Sequence, residues 1–508
     1  MAIPIGERLT IEAVVDVAQN KATVTVPDSV VERISATRAR IETHLGPGKP
    51  LHYGINTGFG ALAEVRIDDS QIRQLQHNLV RSHACGVGDP LSEDVVRAIM
   101  LLRAQVLALG YSGCRPEVVQ QIAAFLNHGI HPVIPKKGSV GASGDLAPLA
   151  HLALGLTGEG MVNYNGAEMI AKQALDATGL SPLELRAKEG LCLINGTQAM
   201  TGIGTLLLYR AEKLAKSCDL IGAITVEALT DSRTAFDPVI HQLRPHPGQV
   251  VSAANLFALL DNSEIMASHE NCDRVQDPYS LRCMPQVHGA TRDSLKYVRQ
   301  VLEVEINAVT DNPLVFDDDR ILSGGNFHGQ PVAIALDLAA IGIAELANIS
   351  ERRIEQLVNP ALNSGLPAFL APNVGLNSGF MIAQVTAAAL VSENKRLAVP
   401  ASVDSIPSSA NREDHVSMGM HSAVKALEVL TNVETVLAIE LLCAGQGIDF
   451  RRPLRSAPGV EAAHAVLRKY VEKLQDDRIL YPDIHLALEL LQSTELLDAA
   501  ESAIGPLG

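Results

Sequence analysis

Residues 203–221 read IGTLLLYRAEKLAKSCDLI, with Ile203, Leu207, Ala211, Leu214, Cys218 and Ile221 three or four positions apart. That spacing lays one apolar stripe along a helix. Leu295, Val298, Leu302, Ile306 and Val309 repeat the pattern further on. Additional helical runs cover roughly 330–358, 378–398, 415–445 and 460–475. No internal repeat, low-complexity stretch or obvious linker separates these runs. The region 199–508 is therefore expected to be a bundle of long helices.

Upstream, residues 1–50 read as short helices and turns, and 70–127 as helix interrupted near Cys85-Gly86-Val87-Gly88-Asp89-Pro90. Val162-Asn163-Tyr164-Asn165-Gly166 reads as a hairpin. The fold class that results is mostly α. A loop-rich, mainly helical N-terminal part (1–198) precedes the long-helix bundle (199–508).

Composition narrows the class of function. The 508 residues are 47% hydrophobic but 3% aromatic, with no Trp, so the core must be built from Leu, Ile, Val and Ala. A mean hydropathy of +0.15 is high for this charge content. Large helical faces buried between subunits would account for it, so an oligomer is expected. The net charge of −16 and the absence of any basic stripe argue against nucleic acid and anionic membranes. Seven cysteines (Cys85, Cys114, Cys192, Cys218, Cys272, Cys283 and Cys443) are odd in number and form no C-x-x-C. They fit reduced thiols in a cytoplasm better than disulfides or zinc. The N-terminus lacks the pattern of a signal peptide. The longest apolar stretch, Val332 to Ile349, is interrupted by Asp337 and Glu345 and reads as too polar for a membrane span. A soluble cytoplasmic protein is expected.

The chemistry sits in loops. Gly138-Ser139-Val140-Gly141-Ala142-Ser143-Gly144-Asp145-Leu146-Ala147-Pro148-Leu149 brackets an Ala-Ser pair with two glycines that permit tight bending. If the Gly144 nitrogen attacked the Ala142 carbonyl, loss of water, including the Ser143 hydroxyl, would leave a methylidene conjugated to an imidazolone, an electrophile no side chain supplies. The same residues also read as a helix N-terminus capped by Ser143 or Asp145. A serine-hydrolase elbow is excluded, because position 145 is Asp where glycine is required. Tyr53-Gly54-Ile55-Asn56-Thr57-Gly58-Phe59-Gly60 describes a mobile loop. Its Gly58-x-Gly60-x-x-Ala63 has no β-α-β context and is not a dinucleotide site.

Together with Ile194-Asn195-Gly196-Thr197-Gln198, Gln276-Asp277-Pro278-Tyr279-Ser280-Leu281-Arg282, Ser323-Gly324-Gly325-Asn326-Phe327-His328 and Asn411-Arg412-Glu413-Asp414-His415, these loops resemble the aromatic amino acid ammonia-lyase family. That family comprises the histidine, phenylalanine and tyrosine lyases and their aminomutase relatives. The resemblance runs from about residue 50 to about residue 450, with the motifs in the family's order. It implies a 4-methylidene-imidazol-5-one group formed autocatalytically from Ala142, Ser143 and Gly144, with no metal and no external cofactor. The substrate amine would add to the methylidene and become a good leaving group.

By the same resemblance Tyr53 is the base for the β-proton, a phenol useful only if its pKa is lowered from about 10. Its loop would close over the substrate. Arg282 is the carboxylate anchor, Tyr279 assists electrophile formation or proton handling, and Asn195 donates to the carboxylate or to the ring oxygen. Phe327 packs beside the electrophile, and Gln276 is a further pocket candidate. Read individually, Tyr53 and Tyr279 also fit packing tyrosines, Arg282 a surface charge, Asn195 a turn residue, Phe327 a core residue and Gln276 a turn cap.

Substrate choice in the family is associated with the segment Arg81-Ser82-His83-Ala84-Cys85-Gly86, where Ser-His resembles the histidine lyases. His83 can hydrogen-bond an imidazole, and Glu413 can accept from or pair with one. A buried, satisfied histidine and a solvated loop charge are the plainer readings of the two. Arg412 stands where the family usually has Gln; pointing inward it would compete with the substrate's imidazole, pointing outward it would not. The activity implied is removal of ammonia from L-histidine to give trans-urocanate, the first step of histidine breakdown, by a homotetramer with shared active sites. The alternatives are tyrosine or phenylalanine lyase or aminomutase activity, or a non-catalytic scaffold.

Overall fold

The computed structural model of the chain describes residues 2–46, 48–269 and 275–508. Cys272 falls outside them. The chain separates into two compact units, the first made of Met1–Tyr209, Arg299–Asp337 and Pro400–Val424. The second comprises Arg210–Val298, Leu338–Val399 and Lys425–Gly508.

Helices dominate both. In the first unit Ile11–Ala18, Asp28–Thr43, Ile72–His83, Glu93–Ala108 and Pro116–His128 account for the short helices and the interrupted run read from sequence. The interruption at residues 84–92 holds a short strand, Val87–Pro90, paired antiparallel with Pro135–Lys137. The hairpin pairs Met161–Tyr164 with Ala167–Ile170. Its turn residues Asn165 (φ 51°) and Gly166 (φ 77°) are both left-handed, as a two-residue hairpin turn requires.

The long helices are Gln198–Leu229, Met284–Glu305, Gln330–Val358, Met381–Leu397 and Gly419–Arg451. Every stripe residue from Ile203 to Ile221 is buried. The second stripe holds through Leu302, but the helix ends at Glu305, so Ile306 and Val309 lie beyond it. There Asn307 turns its side chain to the distant Leu9, accepting from its N–H (2.8 Å) and donating to its carbonyl (3.0 Å).

Gln330–Val358 is long and apolar enough to cross a membrane, contrary to the reading that Asp337 and Glu345 make it too polar. Of its most apolar window, 72% is buried inside the protein, which is how a core helix passes the same test. Most of its apolar face is taken up by packing, while Ile334 and Ile341 on the same helix stay exposed.

Candidate active site

In the first unit a cavity of about 460 Å³ is lined by Tyr53, His83, Ala142, Ser143, Asn195, Phe327, Arg412 and Glu413, among others. Six separate stretches of chain supply these residues. The Gly138–Leu149 stretch is held on three sides. Ser417 Oγ and the Gly329 N–H both donate to the Gly141 carbonyl (2.8 and 3.2 Å), and the Met418 N–H donates to the Val140 carbonyl (2.8 Å). The Asp145 N–H donates to the Gly196 carbonyl (2.8 Å). Gly141 and Gly144 are both left-handed (φ 67° and 69°). A Cβ on Gly144 would run into the Gly196 carbonyl, so only glycine permits this approach.

Asp145 sits at the N-cap position of helix Leu146–Leu156, yet its carboxylate does not cap that helix. It accepts instead from Ser139 Oγ (2.9 Å) and from the Met200 N–H (2.9 Å), stitching the stretch to the start of helix Gln198–Leu229. Burial pushes its carboxyl up to about 6. Ser143 is no cap either: its hydroxyl donates to Glu413 Oε1 at 2.7 Å.

Asn195 lies at the end of helix Glu189–Ile194 and is 4% exposed. Its Nδ2 donates to the Ser143 carbonyl at 2.9 Å, which fixes the amide's orientation, since only the NH2 group can donate. Its Oδ1 is buried with no hydrogen-bond partner among the described residues. The peptide carbonyl of Asn195 accepts from Arg103 Nη1 (2.7 Å), which also reaches Gln198 Oε1 (2.7 Å). Arg103 is fully buried and gave no signal in the sequence, lying in the middle of an apolar helix.

His83 Nδ1 lies 2.8 Å from the Leu79 carbonyl. A carbonyl only accepts, so Nδ1 carries the proton, and in the neutral imidazole Nε2 is then the acceptor. Glu413 is clamped by Ser408, whose hydroxyl donates to Oε2 at 2.6 Å and whose N–H donates to the Glu413 carbonyl at 2.9 Å. The turn between them carries three successive left-handed residues, Ser409, Ala410 and Asn411 (φ 52°, 53° and 66°). Such strain costs about 1–2 kcal/mol per residue and collects at functional sites. Arg412 is paired with Glu64, its Nη2 lying 3.5 Å from Glu64 Oε1 with the side chain 59% exposed.

Tyr53 is half-buried, and its hydroxyl accepts from the Gly60 N–H at 3.2 Å. Burial pushes the phenol up, the Glu413 charge adds to this, and only the Gly60 N–H opposes it. The lowered pKa expected of a phenolic base is therefore not supplied by these surroundings.

Gln276, Tyr279 and Arg282 belong to the second unit and are not among the residues lining this cavity. Arg282 donates to Gln276 Oε1 (3.0 Å) and stacks over the Tyr279 ring at 4.6 Å, with Tyr279 71% exposed. Lining residues that the sequence did not single out include Asn312, Ser409, His328 and His415. His328 was within reach, following Phe327 directly; Asn312 carried no local signal.

A family model described as aromatic amino acid lyase matches residues 9–469. The chain is 58% identical to the histidine ammonia-lyase of Sorangium cellulosum, over 99% of both chains. Among solved structures it resembles the histidine ammonia-lyase of Trypanosoma cruzi, with a TM-score of 0.92 and 45% identity over 99% of this chain and 96% of that one. The tyrosine aminomutase of Streptomyces globisporus superposes with a TM-score of 0.91 at 40% identity, over 99% of each chain. The loops that meet at the cavity lie within the matched residues, and the chain belongs to the aromatic amino acid lyase family.

Proposed function

We propose that this protein converts L-histidine to trans-urocanate and ammonia. The observation that carries the reading is His83: its Nδ1–H is committed to Leu79, leaving Nε2 as an acceptor at a cavity whose wall also presents the Glu413 carboxylate. An imidazole can donate to His83 and pair with Glu413. A phenyl ring would offer no partner to His83 Nε2 or to the Glu413 oxygen that loss of the Ser143 hydroxyl frees, which is costly.

The cavity fits a 4-methylidene-imidazol-5-one made from Ala142, Ser143 and Gly144. Two left-handed glycines bend the stretch, Gly144 is pressed against Gly196, and Asn195 donates to the Ser143 carbonyl. Once formed, that group supplies an electrophile that turns the substrate's amine into a leaving group. The chain's own residues do the rest. Asn195 Oδ1, buried and unpartnered among the described residues, accepts from the substrate's amine. Tyr53, as phenolate, takes the β-proton, and Gly60 steadies the anion through its N–H. Phe327 packs against the ring plane and helps exclude water.

The carboxylate anchor is Arg282, with Tyr279 and Gln276 beside it, supplied from another subunit of a homotetramer. Support comes from the exposure of Tyr279 and of the apolar Leu376 (82%), Ile382 (65%) and Val385 (52%) on the second unit, surface that association would cover. The cytoplasm is the compartment proposed.

The test is ultraviolet absorbance of the purified protein with L-histidine, L-tyrosine and L-phenylalanine in turn. Urocanate, coumarate and cinnamate absorb where their parents do not. A rise with histidine alone is expected; a faster rise with either of the others overturns the assignment of His83 and Glu413.

A further inference from the structure

The hydrogen bond from Ser143 to Glu413 exists only while Ser143 still has its hydroxyl. A contact confined to the precursor is idle in a substrate-binding role, since the water it holds is gone before substrate arrives. We infer that Glu413 acts before any substrate binds, catalysing the dehydration of Ser143 that completes the electrophile. The inference rests on the proposed self-formed group.

Ring closure joins the Gly144 nitrogen to the Ala142 carbonyl carbon. The carbonyl oxygen departs as the first water, with the amide hydrogens of Gly144 and Ser143. The second water is harder, because it requires a proton to leave the Ser143 Cα and hydroxide to leave Cβ, a poor leaving group unless protonated. Glu413 serves both ends. Its carboxylate takes the Cα proton, the C–H electron pair becomes the Cα=Cβ bond, and the Cβ–Oγ pair departs with oxygen. Oγ takes the same proton back from Oε1, so water leaves and the carboxylate is regenerated. No other reactant is consumed.

Three contacts support the step. Oε1 is already 2.7 Å from the departing Oγ. Asn195 Nδ2, 2.9 Å from the Ser143 carbonyl, stabilises the negative charge that collects on that oxygen when the Cα proton goes. Ser408, 2.6 Å from Oε2, holds the far oxygen so that Oε1 alone faces the serine. The strained turn at residues 409–411 sets this orientation. Departure of the water then frees Oε1, so one carboxylate first matures the site and afterwards receives the substrate.

The experiment is intact and peptide mass of the purified full-length chain, followed over time after synthesis. The wild-type chain is expected to be lighter by two waters at residues 142–144. Glu413→Gln keeps shape and one acceptor but cannot shuttle a proton. It is expected to be lighter by one water at most, with loss of the second slowed about 10²- to 10⁴-fold. Glu413→Ala should recover the second loss when incubated with formate. Should Glu413→Gln not fold, Glu413→Asp carries the test, because its shorter side chain draws the carboxylate back from Oγ and slows the second loss at least about tenfold. Loss of both waters at the wild-type rate in any of these variants without formate overturns the inference and leaves the lyase reading intact. Retention of both waters by the wild-type chain overturns the electrophile itself, and this inference with it.

Discussion

Replacing Asn195 by Ala separates the two uses of one side chain. In the folded protein Nδ2 donates to the Ser143 carbonyl at 2.9 Å, while Oδ1 is buried and unpartnered among the described residues. Truncation removes the donor from an oxygen that carries negative charge during the reaction, and the acceptor from the substrate's amine. The main chain should hold its place, because Arg103 Nη1 grips the Asn195 carbonyl at 2.7 Å independently of the side chain. Loss of one such donor costs roughly 3–4 kcal/mol, or about 10²- to 10³-fold in kcat. The assay is steady-state urocanate production by the fraction of protein whose mass shows both waters lost, so that a failure to mature is not read as a failure to turn over. The fall should appear in kcat more than in KM. A matured Asn195→Ala enzyme with kcat within about fivefold of wild type would refute the assignment.

The phenol of Tyr53 is held up by burial and by Glu413, so the phenolate is the minority species at neutral pH. If it is the base, kcat should climb nearly tenfold per pH unit through about pH 7–9, and Tyr53→Phe should abolish the climb while still binding substrate; a flat profile counts against it. Gly144→Ala places a methyl against the Gly196 carbonyl at φ 69°, at a cost of about 1–2 kcal/mol for the backbone conformation alone before the clash is added. That variant should keep both waters and melt lower, as mass and thermal unfolding would show, and wild-type maturation would contradict the tight approach. In the second unit the fully buried Glu440 accepts from Arg353 Nε (2.5 Å) and Nη2 (2.7 Å), Thr225 (2.7 Å) and Ser350 (2.6 Å). Glu440→Ala should destabilise by roughly 3–5 kcal/mol by stranding the Arg353 charge, and pairing it with Arg353→Met should recover most of the loss. A denaturation midpoint for the double variant no better than for Glu440→Ala would show that the stranded charge is not the cause.

The sequence by itself determined the helical class, the apolar stripes and the inventory of chemically able residues. These are properties of local spacing: a stripe from Ile203 to Ile221 declares a buried helix face whatever it packs against, and Asn165-Gly166 declares its turn. The order of the loop motifs was legible for the same reason, and so was the glycine requirement around Ser143.

What only the tertiary structure decided was pairing over distance. The helix after Leu302 stops at Glu305, and the Asn307 side chain beyond it is bonded to Leu9, a partner 298 positions away that no window of sequence contains. Arg412 engages Glu64 rather than its neighbour Glu413, and Glu413 turns to Ser143, 270 positions back. Arg103 reads as an intruder in an apolar helix until its guanidinium is seen holding Asn195 and Gln198. A side chain's chemistry is fixed by its identity, but its partner is fixed by where the folded backbone brings the two groups together. Burial makes that choice consequential, because a polar group removed from water must find its hydrogen bonds within the protein.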